Sequence, residues 1–389
     1  MVTIIGNGMG DYTFDNLDID FCKYDKIVCD KNFKEKGNHI LKGGYKFARD
    51  YIVDNYTKEN ILYVVTGSPF FFSAGILVAN KLPKDQVKMI DNISSKVYMQ
   101  QKLFISDSNI DCLSLHGRDS IDLTKFLTNR YTFILCDKHS IPKIQECIKY
   151  LKPNDIEVTI GYKLGYKDEI IEQINLFDLS YKAFDMKQPY VLMVKKLYKD
   201  IGSNDEDFIT QRGMITKKYK RDLSLQNLDL KPNQLLWDIG AGSGSCGIEA
   251  FKRYKTKTVF FENQPQRVEN ILLNLTNHKV INCDLLEGDA QDKFEQLTQN
   301  PNRIFVGGGG EKVIEKLPYL YERLDDDGVM LINAITLKHL SLMINILNQH
   351  TIKYSVISLS LTTYKGSLDL VEPERQLFQI KIIKLNGEK

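Results

Sequence analysis

Short apolar runs alternate with longer stretches of helical periodicity along the whole chain. The runs are rich in valine, isoleucine, phenylalanine and tyrosine, which favour strands. Strands separated by helices predict an α/β fold with largely parallel sheets. The predicted strands are Val2–Ile5, Lys26–Cys29, Ile61–Val65, Cys112–Leu115, Thr132–Cys136, Glu157–Ile160, Tyr190–Val194, Gln234–Asp238, Thr258–Glu262, Asp284–Glu287, Arg303–Val306, Val329–Asn333, Tyr354–Leu361 and Gln376–Ile383.

A polar, acidic segment at residues 200–207 interrupts this alternation and includes Gly202. Such a composition is typical of a linker. We therefore expect two domains, at residues 1–199 and 208–389. The length of 389 residues suits two domains better than one.

The composition predicts a soluble protein. Hydrophobic residues make up 43% and charged residues 26% of the chain, and the net charge is +2. A charge this close to zero gives no general attraction to nucleic acid or anionic membranes. No apolar run approaches the ~18 residues of a membrane-spanning helix, and the first residues lack a basic leader. We expect a cytoplasmic location, with neither a nucleic-acid nor a membrane partner.

The cysteines are scattered and form no Cys-x-x-Cys pair, and their number, seven, is odd. This pattern favours free thiols in a reducing compartment over disulfides or a zinc site. We expect no metal site.

The clearest motif follows the strand that ends at Ile239. Residues 235–245 read Leu-Leu-Trp-Asp-Ile-Gly-Ala-Gly-Ser-Gly-Ser, an apolar strand followed by a glycine-rich turn. Gly240, Gly242 and Gly244 can adopt positive φ and leave no side chain in the way of a ligand. In open α/β sheets, ligands bind at this carboxyl end of the strands.

Three interpretations of the motif compete. Residues 242–247 match the Gly-x-Gly-x-x-Gly pattern of dinucleotide-binding proteins, which is a weak signal by itself. Glycines needed only for helix packing are the second interpretation, which leaves the nearby acids unexplained. An S-adenosylmethionine site is the third, and we favour it on the spacing of three elements: Asp238 within the strand end, Glu262 after the next strand, and Glu287–Ala290 after the third. Glu262 would accept hydrogen bonds from ribose hydroxyls, and Asp238 would orient the turn or meet the cofactor's amine.

A run of glycines, Gly307–Gly310, follows the fourth strand of the second half. Enzymes that methylate the amino groups of bases usually carry Asp/Asn-Pro-Pro-aromatic at this point, and that motif is absent. The glycines would leave an open floor for a large planar substrate. A long flexible turn is the alternative.

Four segments of the second half carry a family likeness: Met214–Lys217, Trp237–Ser245, Phe305–Gly308 and Leu331–Leu337. Together they resemble the carbon-15 methyltransferase and decarboxylase of cobalamin biosynthesis, a Rossmann-like S-adenosylmethionine-dependent methyltransferase. The resemblance extends over nearly all of residues 205–385.

The first half carries Gly6–Asp11, Asn92–Ser95, Gly161–Tyr166 and, as its most specific segment, Ser114–Arg118. These segments resemble the carbon-5 methyltransferase of the tetrapyrrole methylase family. The order of the halves resembles the family in which both are fused, the decarboxylating precorrin-6Y C(5,15)-methyltransferases.

Two positions depart from the tetrapyrrole methylase pattern. Met9 stands where the family usually has proline, and Ser68 stands where it usually has aspartate. Both lie in loops that shape the first cofactor cleft. A first half that serves only as a binding or assembly module therefore stays open as an alternative.

The resemblance implies a bifunctional enzyme. It would transfer methyl groups from S-adenosylmethionine to carbons 5 and 15 of precorrin-6Y, or of its cobalt form, and remove the carboxyl of the carbon-12 acetate to give precorrin-8. The domain at 1–199 would methylate carbon 5, and the domain at 208–389 would methylate carbon 15 and decarboxylate. The conjugated macrocycle supplies the electron sink, so no other cofactor is required. We also expect a homo-oligomer. An RNA or protein methyltransferase, and a scaffold that binds the cofactor without catalysis, are the rival classes.

The resemblance also implies site residues. For the cofactor they are Thr216, Asp238, Gly240, Ala241, Gly242, Ser243, Gly244, Glu262, Asp289 and Ala290 in the second half and Gly8, Gly10, Gly67 and Ser94 in the first. The substrate carries many carboxylates, which lysine and arginine bind. For the substrate we expect Lys217, Arg221, Arg375, Arg118 and His116. A lone histidine is more often structural, and Lys365 is more simply a solvated surface charge.

Overall fold

A computed structural model describes residues 1–15, 17–178, 180–366 and 370–385. The described part of the chain divides into two compact units. The first unit comprises Met1–Ile121, Lys125–Ile141 and Ile156–Leu197, and the second comprises Asp122–Thr124, Pro142–Asp155 and Tyr198–Lys389.

The first unit begins with a parallel sheet of strand order β3-β2-β4-β1-β5. Its elements are β1 Val2–Gly6, β2 Lys26–Cys29, β3 Ile40–Lys42, α1 Tyr45–Asn55, β4 Ile61–Val65, α2 Ala74–Ala79, β5 Val87–Ile90 and α3 Ser95–Leu103. Successive residues of β1 pack on opposite faces of the sheet. Ile4 belongs to a hydrophobic cluster with residues of α1 and α2, whereas Ile5 belongs to a cluster with Phe14 and Phe33. Burial on both faces explains the nearly continuous apolar runs.

A second sheet of the first unit has the order β6-β7-β10-β8-β9. Its strands are β6 Ile110–Ser114, β7 Tyr131–Leu135, β8 Ile156–Tyr162, β9 Ile170–Ile174 and β10 Tyr190–Lys196. The helix α4, Ser140–Cys147, follows β7 in the chain, and most of it is assigned to the second unit. β6 and β7 are parallel, whereas β10 runs antiparallel to β7 and β8, and β9 runs antiparallel to β8. The α/β class is confirmed, but the expected parallel pairing does not hold in this sheet.

The second unit contains a sheet of order β13-β12-β11-β14-β15-β19-β16, parallel from β13 to β15, with β19 antiparallel to β15 and β16. β17 and β18 pair as an antiparallel hairpin. The elements are α5 Lys218–Asn227, β11 Leu235–Ile239, α6 Ser245–Tyr254, β12 Lys257–Glu262, α7 Pro265–Asn277, β13 Cys283–Glu287, β14 Arg303–Val306, α8 Gly310–Glu315, α9 Leu317–Arg323, β15 Val329–Ala334, α10 Leu337–Gln349, β16 Ser355–Leu359, β17 Thr362–Lys365, β18 Leu370–Pro373 and β19 Leu377–Ile383.

The strand order of this sheet reverses at β11. The chain passes from β11 to β12 and β13 on one side, then returns to β14 and β15 on the other. Such a switch point opens a crevice at the carboxyl ends of the central strands, where α/β proteins bind ligands.

Residues 200–207, expected to form a linker, belong to the second unit and include a 3-10 turn at Asp205–Asp207. Over the described residues, no helix is both long and apolar enough to cross a membrane.

Candidate functional site

A cavity of about 1030 Å³ opens at the carboxyl edge of the second unit's sheet. The turns after β11, β12, β13, β14 and β15 form its walls, together with the segment Gly213–Lys217. The predicted site residues among its lining are Thr216, Lys217, Gly240, Ala241, Gly242, Ser243, Glu262, Asp289, Ala290 and Arg375.

Two glycines of the turn after β11 serve different purposes. A Cβ added at Gly240, where φ is +68°, would lie 2.6 Å from a backbone carbon of Gly308, so this glycine lets the turns after β11 and β14 touch. A Cβ at Gly242, where φ is +62°, would meet no described atom within 4 Å. Gly242 therefore faces open space within the cavity lining.

Glu262 ends β12 with a buried carboxylate. Its Oε2 accepts a hydrogen bond of 2.8 Å from Gly242 N, and its Oε1 accepts bonds of 3.0 Å from Asn263 N and Gln264 N. A carboxylate offers about four acceptor positions. Glu262 thus fixes the glycine turn and keeps acceptor capacity for a ligand.

Asp289 and Ala290 follow β13 and line the same end of the cavity. Asp289 accepts a bond of 2.7 Å from Asn263 Nδ2 and pairs with Lys312 at 3.3 Å. The hydrogen bond from Asn263, followed by the bond to Lys312, lowers the pKa of Asp289, which keeps the carboxylate ionised.

Asp238 was predicted among the cofactor-binding residues but lies outside the cavity lining, fully buried beneath the turn. Its Oδ2 accepts a bond of 2.9 Å from Gly247 N at the start of α6. Burial raises the pKa of Asp238 to about 7, the bond from Gly247 opposing this only in part. Of the two roles expected for Asp238, this position suits orienting the turn.

Gly244 also lies outside the lining. It is the residue before α6, with φ +75°, and a Cβ there would lie 3.4 Å from Ile248 and Ile271. Its positive φ lets the chain turn into α6, and the lack of a side chain leaves room for Ile248 and Ile271. Gly244 thus has a structural role in the turn.

Arg221 was predicted to meet the substrate, but its side chain is completely buried away from the cavity. Its guanidinium donates to Ser203 O at 2.6 Å and Thr216 O at 2.7 Å and pairs with Asp205 at 3.1 Å. The prediction is wrong because this arginine satisfies backbone carbonyls, which holds the segment before α5 against the helix.

Lys220, one residue earlier, lines the cavity instead. Its Nζ donates to Arg375 O at 2.7 Å and pairs with Glu374 at 2.8 Å. Lys217 also lines the cavity and lies 3.6 Å from Asp205, whereas Arg375 is exposed at the rim. The cluster of basic residues at 217–221 was visible in the sequence. The sequence did not show that α5 would turn Lys220 towards the cavity and Arg221 away from it. The side chain of Lys365 lies outside the described residues.

Asn274 of α7 is a second residue that sequence reasoning missed. It is fully buried, and its Nδ2 donates to Ser243 O and Ile209 O, both at 2.9 Å, while its Oδ1 accepts from Ile209 N at 2.8 Å. One amide thus joins the glycine turn to the segment at residue 209. An asparagine among the apolar residues of α7 was the only signal.

The residues present fit S-adenosylmethionine. The open face of Gly242, the acceptor Glu262 and the turn at Asp289–Ala290 lie at one end of the cavity. Cys246 also lines it, and burial raises the pKa of this thiol to about 12, so it stays neutral. The site therefore offers a glycine cradle and a carboxylate acceptor without a competing thiolate.

In the first unit, Gly8 and Gly67 meet at the carboxyl edge of the parallel sheet. Gly8 N donates to Gly67 O at 3.2 Å and Gly67 N donates to Gly8 O at 3.0 Å. A Cβ at Gly8 would lie 2.8 Å from Asn92 Oδ1, and one at Gly10 would lie 2.8 Å from Gly165 O. Ser94 is 94% buried and caps α3. Gly8 and Gly10 are thus required by packing within the unit.

The two departures from the family pattern have local partners. Met9 packs against the cluster that contains Met99 and Leu164. The buried Ser68 donates from Oγ to Asp91 Oδ1 at 2.5 Å.

His116 and Arg118 are exposed and follow β6 of the second sheet, rather than the parallel sheet that carries Gly8 and Gly67. Between them, Gly117 N donates to Asp137 Oδ2 at 2.9 Å, which ties this turn to the end of β7.

Comparison with known proteins gives the same picture of the second half. Residues 207–384 match the family model described as "Precorrin methyltransferase domain". A precorrin-6Y C(5,15)-methyltransferase [decarboxylating] from Sinorhizobium sp. is 27% identical over 291 residues, which are 71% of this chain and 68% of that protein.

A probable cobalt-precorrin-6B C(15)-methyltransferase (decarboxylating) from Pyrobaculum aerophilum is 31% identical over 41% of this chain and 83% of its own length. A crystal structure of precorrin-6Y C5,15-methyltransferase from Geobacter metallireducens is 31% identical over 48% of this chain and all of that chain, with a TM-score of 0.45. The chain belongs to the decarboxylating precorrin methyltransferase family and is an S-adenosylmethionine-dependent methyltransferase.

Proposed function

We propose that the chain methylates carbons 5 and 15 of precorrin-6Y, or of its cobalt form, and removes the carboxyl of the carbon-12 acetate to give precorrin-8. The observation that carries this proposal is the cavity of the second unit. Its volume of about 1030 Å³ is at the upper end of the range for small-molecule sites, which suits a substrate bound beside a cofactor. Its lining also changes in character from one end to the other.

The turns after β11, β12 and β13 form the cofactor end. Glu262 would accept a ribose hydroxyl, Gly242 would let the methionine portion approach the backbone, and Ala290 would line the adenine. When bound, S-adenosylmethionine supplies a methyl group on a sulfonium. The protein's contribution is to hold this end rigid, through Asp238, Asn274 and the Glu262 carboxylate.

The turns after β14 and β15 and the segment around Arg375 form the substrate end. Gly307–Gly310 present little more than backbone there, and four residues that can carry positive charge, Lys217, Lys220, His339 and Arg375, also line the cavity. Cationic groups suit a substrate that carries several carboxylates. Decarboxylation would occur in this cavity, because carbon 15 and the carbon-12 acetate are neighbours on the ring.

A second candidate is an enzyme whose second unit alone is active. Gly8 and Gly67 bond to each other, and Ser68 replaces the acid usual in the family. Both observations suit a first unit that binds or assembles without methylating. Under the first proposal, this unit binds a second cofactor molecule and methylates carbon 5.

Product mass analysis tests the proposal. The full chain, S-adenosylmethionine and precorrin-6Y, cobalt-free or cobalt-loaded, should yield a product that has gained two methyl groups and lost carbon dioxide. Gly242→Arg should stop carbon-15 methylation and decarboxylation but leave carbon-5 methylation. Loss of all three events in Gly242→Arg, with the fold intact, would favour the second candidate. Wild-type chain that forms no S-adenosylhomocysteine with either substrate would reject both.

We further propose that the protein acts as a cytoplasmic homo-oligomer. All its cysteines are free thiols. Leu337 and Tyr364 expose 71% and 76% of their surface, an apolar exposure that a second copy would cover. Light scattering should give a mass at least twice that of the chain.

A further inference from the structure

A chain of hydrogen bonds runs from α5 through the sheet to the substrate end of the cavity. Its centre is Gln379 of β19, a completely buried glutamine opposite Asn333 in the β15–β19 register. Gln379 Nε2 donates to Ser224 Oγ at 2.7 Å and to Asn333 Oδ1 at 3.0 Å. Gln379 Oε1 accepts from Asn227 Nδ2 at 2.8 Å. Of these residues, Asn333 lines the cavity.

The direction of these bonds is set by a backbone carbonyl. Ser224 Oγ lies 2.7 Å from Lys220 O, and two oxygens at that distance share a hydrogen. A carbonyl has no hydrogen to give, so the single hydroxyl hydrogen of Ser224 points to Lys220 O. Ser224 is then an acceptor towards Gln379, and the group of Gln379 that faces it must be the NH₂.

The orientation of Gln379 in turn fixes the orientation of Asn333. The second hydrogen of Gln379 Nε2 is directed at Asn333, so the atom of Asn333 that faces it must be the carbonyl Oδ1. The NH₂ group of Asn333 is therefore the end of the side chain left for a bound molecule. A backbone carbonyl in α5 thereby makes Asn333 a hydrogen-bond donor at the cavity wall.

The surroundings of Asn333 identify what it would bind. Asn333 lies in β15, two strands from β11, and lines the cavity together with Lys220, His339 and Arg375, whereas Gly242 and Glu262 are at the ends of β11 and β12. Lys220 is paired with Glu374 and donates to a backbone carbonyl, so its charge is already partly neutralised. A neutral donor that is fixed in direction would hold one acceptor oxygen in one place.

We propose that Asn333 binds a carboxylate of the tetrapyrrole substrate through its NH₂ group, and that Gln379 is a positioning residue that fixes its direction. This assignment rests on the proposed function. It predicts that a change at Gln379, which does not line the cavity, alters substrate binding through the orientation of Asn333 alone.

Asn333→Asp tests the donor. The aspartate still accepts from Gln379 Nε2, so the network is kept, but it presents an acceptor and a negative charge to the cavity. We expect binding of precorrin-6Y, followed by absorbance titration, to weaken about 10- to 100-fold, the range for a lost hydrogen bond to a charged group. Binding of S-adenosylhomocysteine, followed by calorimetry, should stay within twofold.

Gln379→Glu tests the positioning. A glutamate accepts where the glutamine donated, so Asn333 must turn its NH₂ inward and present its carbonyl to the substrate. KM for precorrin-6Y should rise about tenfold or more, while kcat at saturation changes little. Gln379→Met, which removes the directing bonds without adding a buried charge, should raise KM less and serves if the glutamate variant does not fold.

Gln376→Glu is the matched control, because Gln376 precedes the same strand, is exposed, and bonds to Ser358 rather than to the cavity wall. It should leave KM unchanged. In an Asn333→Leu background, Gln379→Met should cause no further loss, since the group that it positions is gone.

Two results would overturn the assignment: an unchanged substrate affinity in Asn333→Asp, or a loss from Gln379→Met that is as large in the Asn333→Leu background as in the wild type. If the wild-type chain binds precorrin-6Y in the same assay, the proposed function is upheld. A wild-type chain that does not bind precorrin-6Y in either cobalt state would overturn both.

Discussion

The parallel sheet of the first unit and the parallel strands of the second unit's sheet both carry glycine turns at their carboxyl ends, but the glycines have different neighbours. In the first unit, a Cβ at Gly8 would press on Asn92 and one at Gly10 on the carbonyl of Gly165. In the second unit, a Cβ at Gly242 or Gly310 would enter open space along the cavity. A glycine motif therefore has two physical origins, close packing within the protein and room for a ligand.

The acids near these turns differ in the same way. Asp238 is buried beneath the turn of the second unit with one oxygen unpartnered among the described residues. At the first unit's edge, the buried group is the neutral Ser68, which bonds to the exposed carboxylate of Asp91. The second unit buries an ionisable carboxyl group to shape its turn, whereas the first unit buries a neutral hydroxyl. The comparison implies that the second edge is arranged for a ligand at some cost in stability.

The largest expected effect is on cofactor binding and comes from a substitution at Gly242. Gly242→Arg places a long cationic side chain in the cavity, and calorimetry with S-adenosylhomocysteine on the full chain should fall from two bound molecules to one. Gly44→Arg is the control, because Gly44 also has open surroundings but lies in the first unit, immediately before α1. A fall from one to none would show that the first unit binds no cofactor.

A pH dependence should distinguish the second unit from the first. Because burial raises the pKa of Asp238 to about 7, the folded state binds a proton that the unfolded chain releases near pH 4. The stability present below pH 4 is therefore lost as the pH rises towards 7. Asp238→Asn keeps an acceptor for Gly247 N and removes the titration.

The free energy of unfolding of Asp238→Asn, relative to wild type, should rise between pH 4 and pH 7 by up to about 4 kcal/mol. Hydrogen exchange of the β11 and α6 amides at pH 4 and pH 7 measures it, and the amides of β1 in the first unit should not respond to this substitution. An equal pH profile for Asp238→Asn and wild type would contradict the assignment.

The predicted strands of both units form within one or two residues of the expected bounds. Buried parallel strands such as Leu235–Ile239 are continuously apolar, which makes them visible in the sequence. The strands that the pattern missed, β3, β5, β9, β17 and β18, are short or partly exposed, so they lack that signal. In the β6-β7-β10-β8-β9 sheet of the first unit, the antiparallel direction of most strand pairs depends on how the chain connects the strands. The periodicity of the sequence does not encode these connections.

The structure places the predicted residues in the cavity lining where a strand end determines their position, and places them elsewhere where a long side chain can point in more than one direction. Gly240, Gly242 and Glu262 line the cavity, as their positions at strand ends suggested. Arg221 and Lys220 are adjacent in the sequence, yet one is buried against carbonyls and the other faces the cavity. Asn333 was visible in the sequence, but its donor role depends on Gln379, whose partners are distant along the chain.

A smaller effect should separate the two kinds of glycine directly. Gly8→Ala adds a Cβ at φ +73° that lies 2.8 Å from Asn92 Oδ1, and Asn92 in turn holds Gly6 O. We expect it to destabilise the first unit by about 2–3 kcal/mol. Gly242→Ala causes no steric clash, so only the unfavourable positive φ of an alanine remains. It should lower the stability of the second unit by about 1 kcal/mol. Hydrogen exchange of β1 and β11 amides compares them, and equal costs would contradict the distinction.

The smallest expected effect concerns the serine at the first unit's edge. Ser68→Asp, which restores the acid usual in the family, puts a carboxylate where Oγ now lies 2.5 Å from Asp91 Oδ1. Two like charges at an edge that is partly open to solvent should lower the free energy of unfolding by about 1–2 kcal/mol. Exchanging the residues, as Ser68→Asp with Asp91→Ser, rebuilds one hydroxyl–carboxylate bond in the opposite direction and should recover most of that loss. Urea unfolding of the two single variants and the pair gives the coupling energy. If the costs of the single changes simply add in the pair, the bond between Ser68 and Asp91 is not what keeps a serine at this position, and the contrast with Asp238 would need another cause.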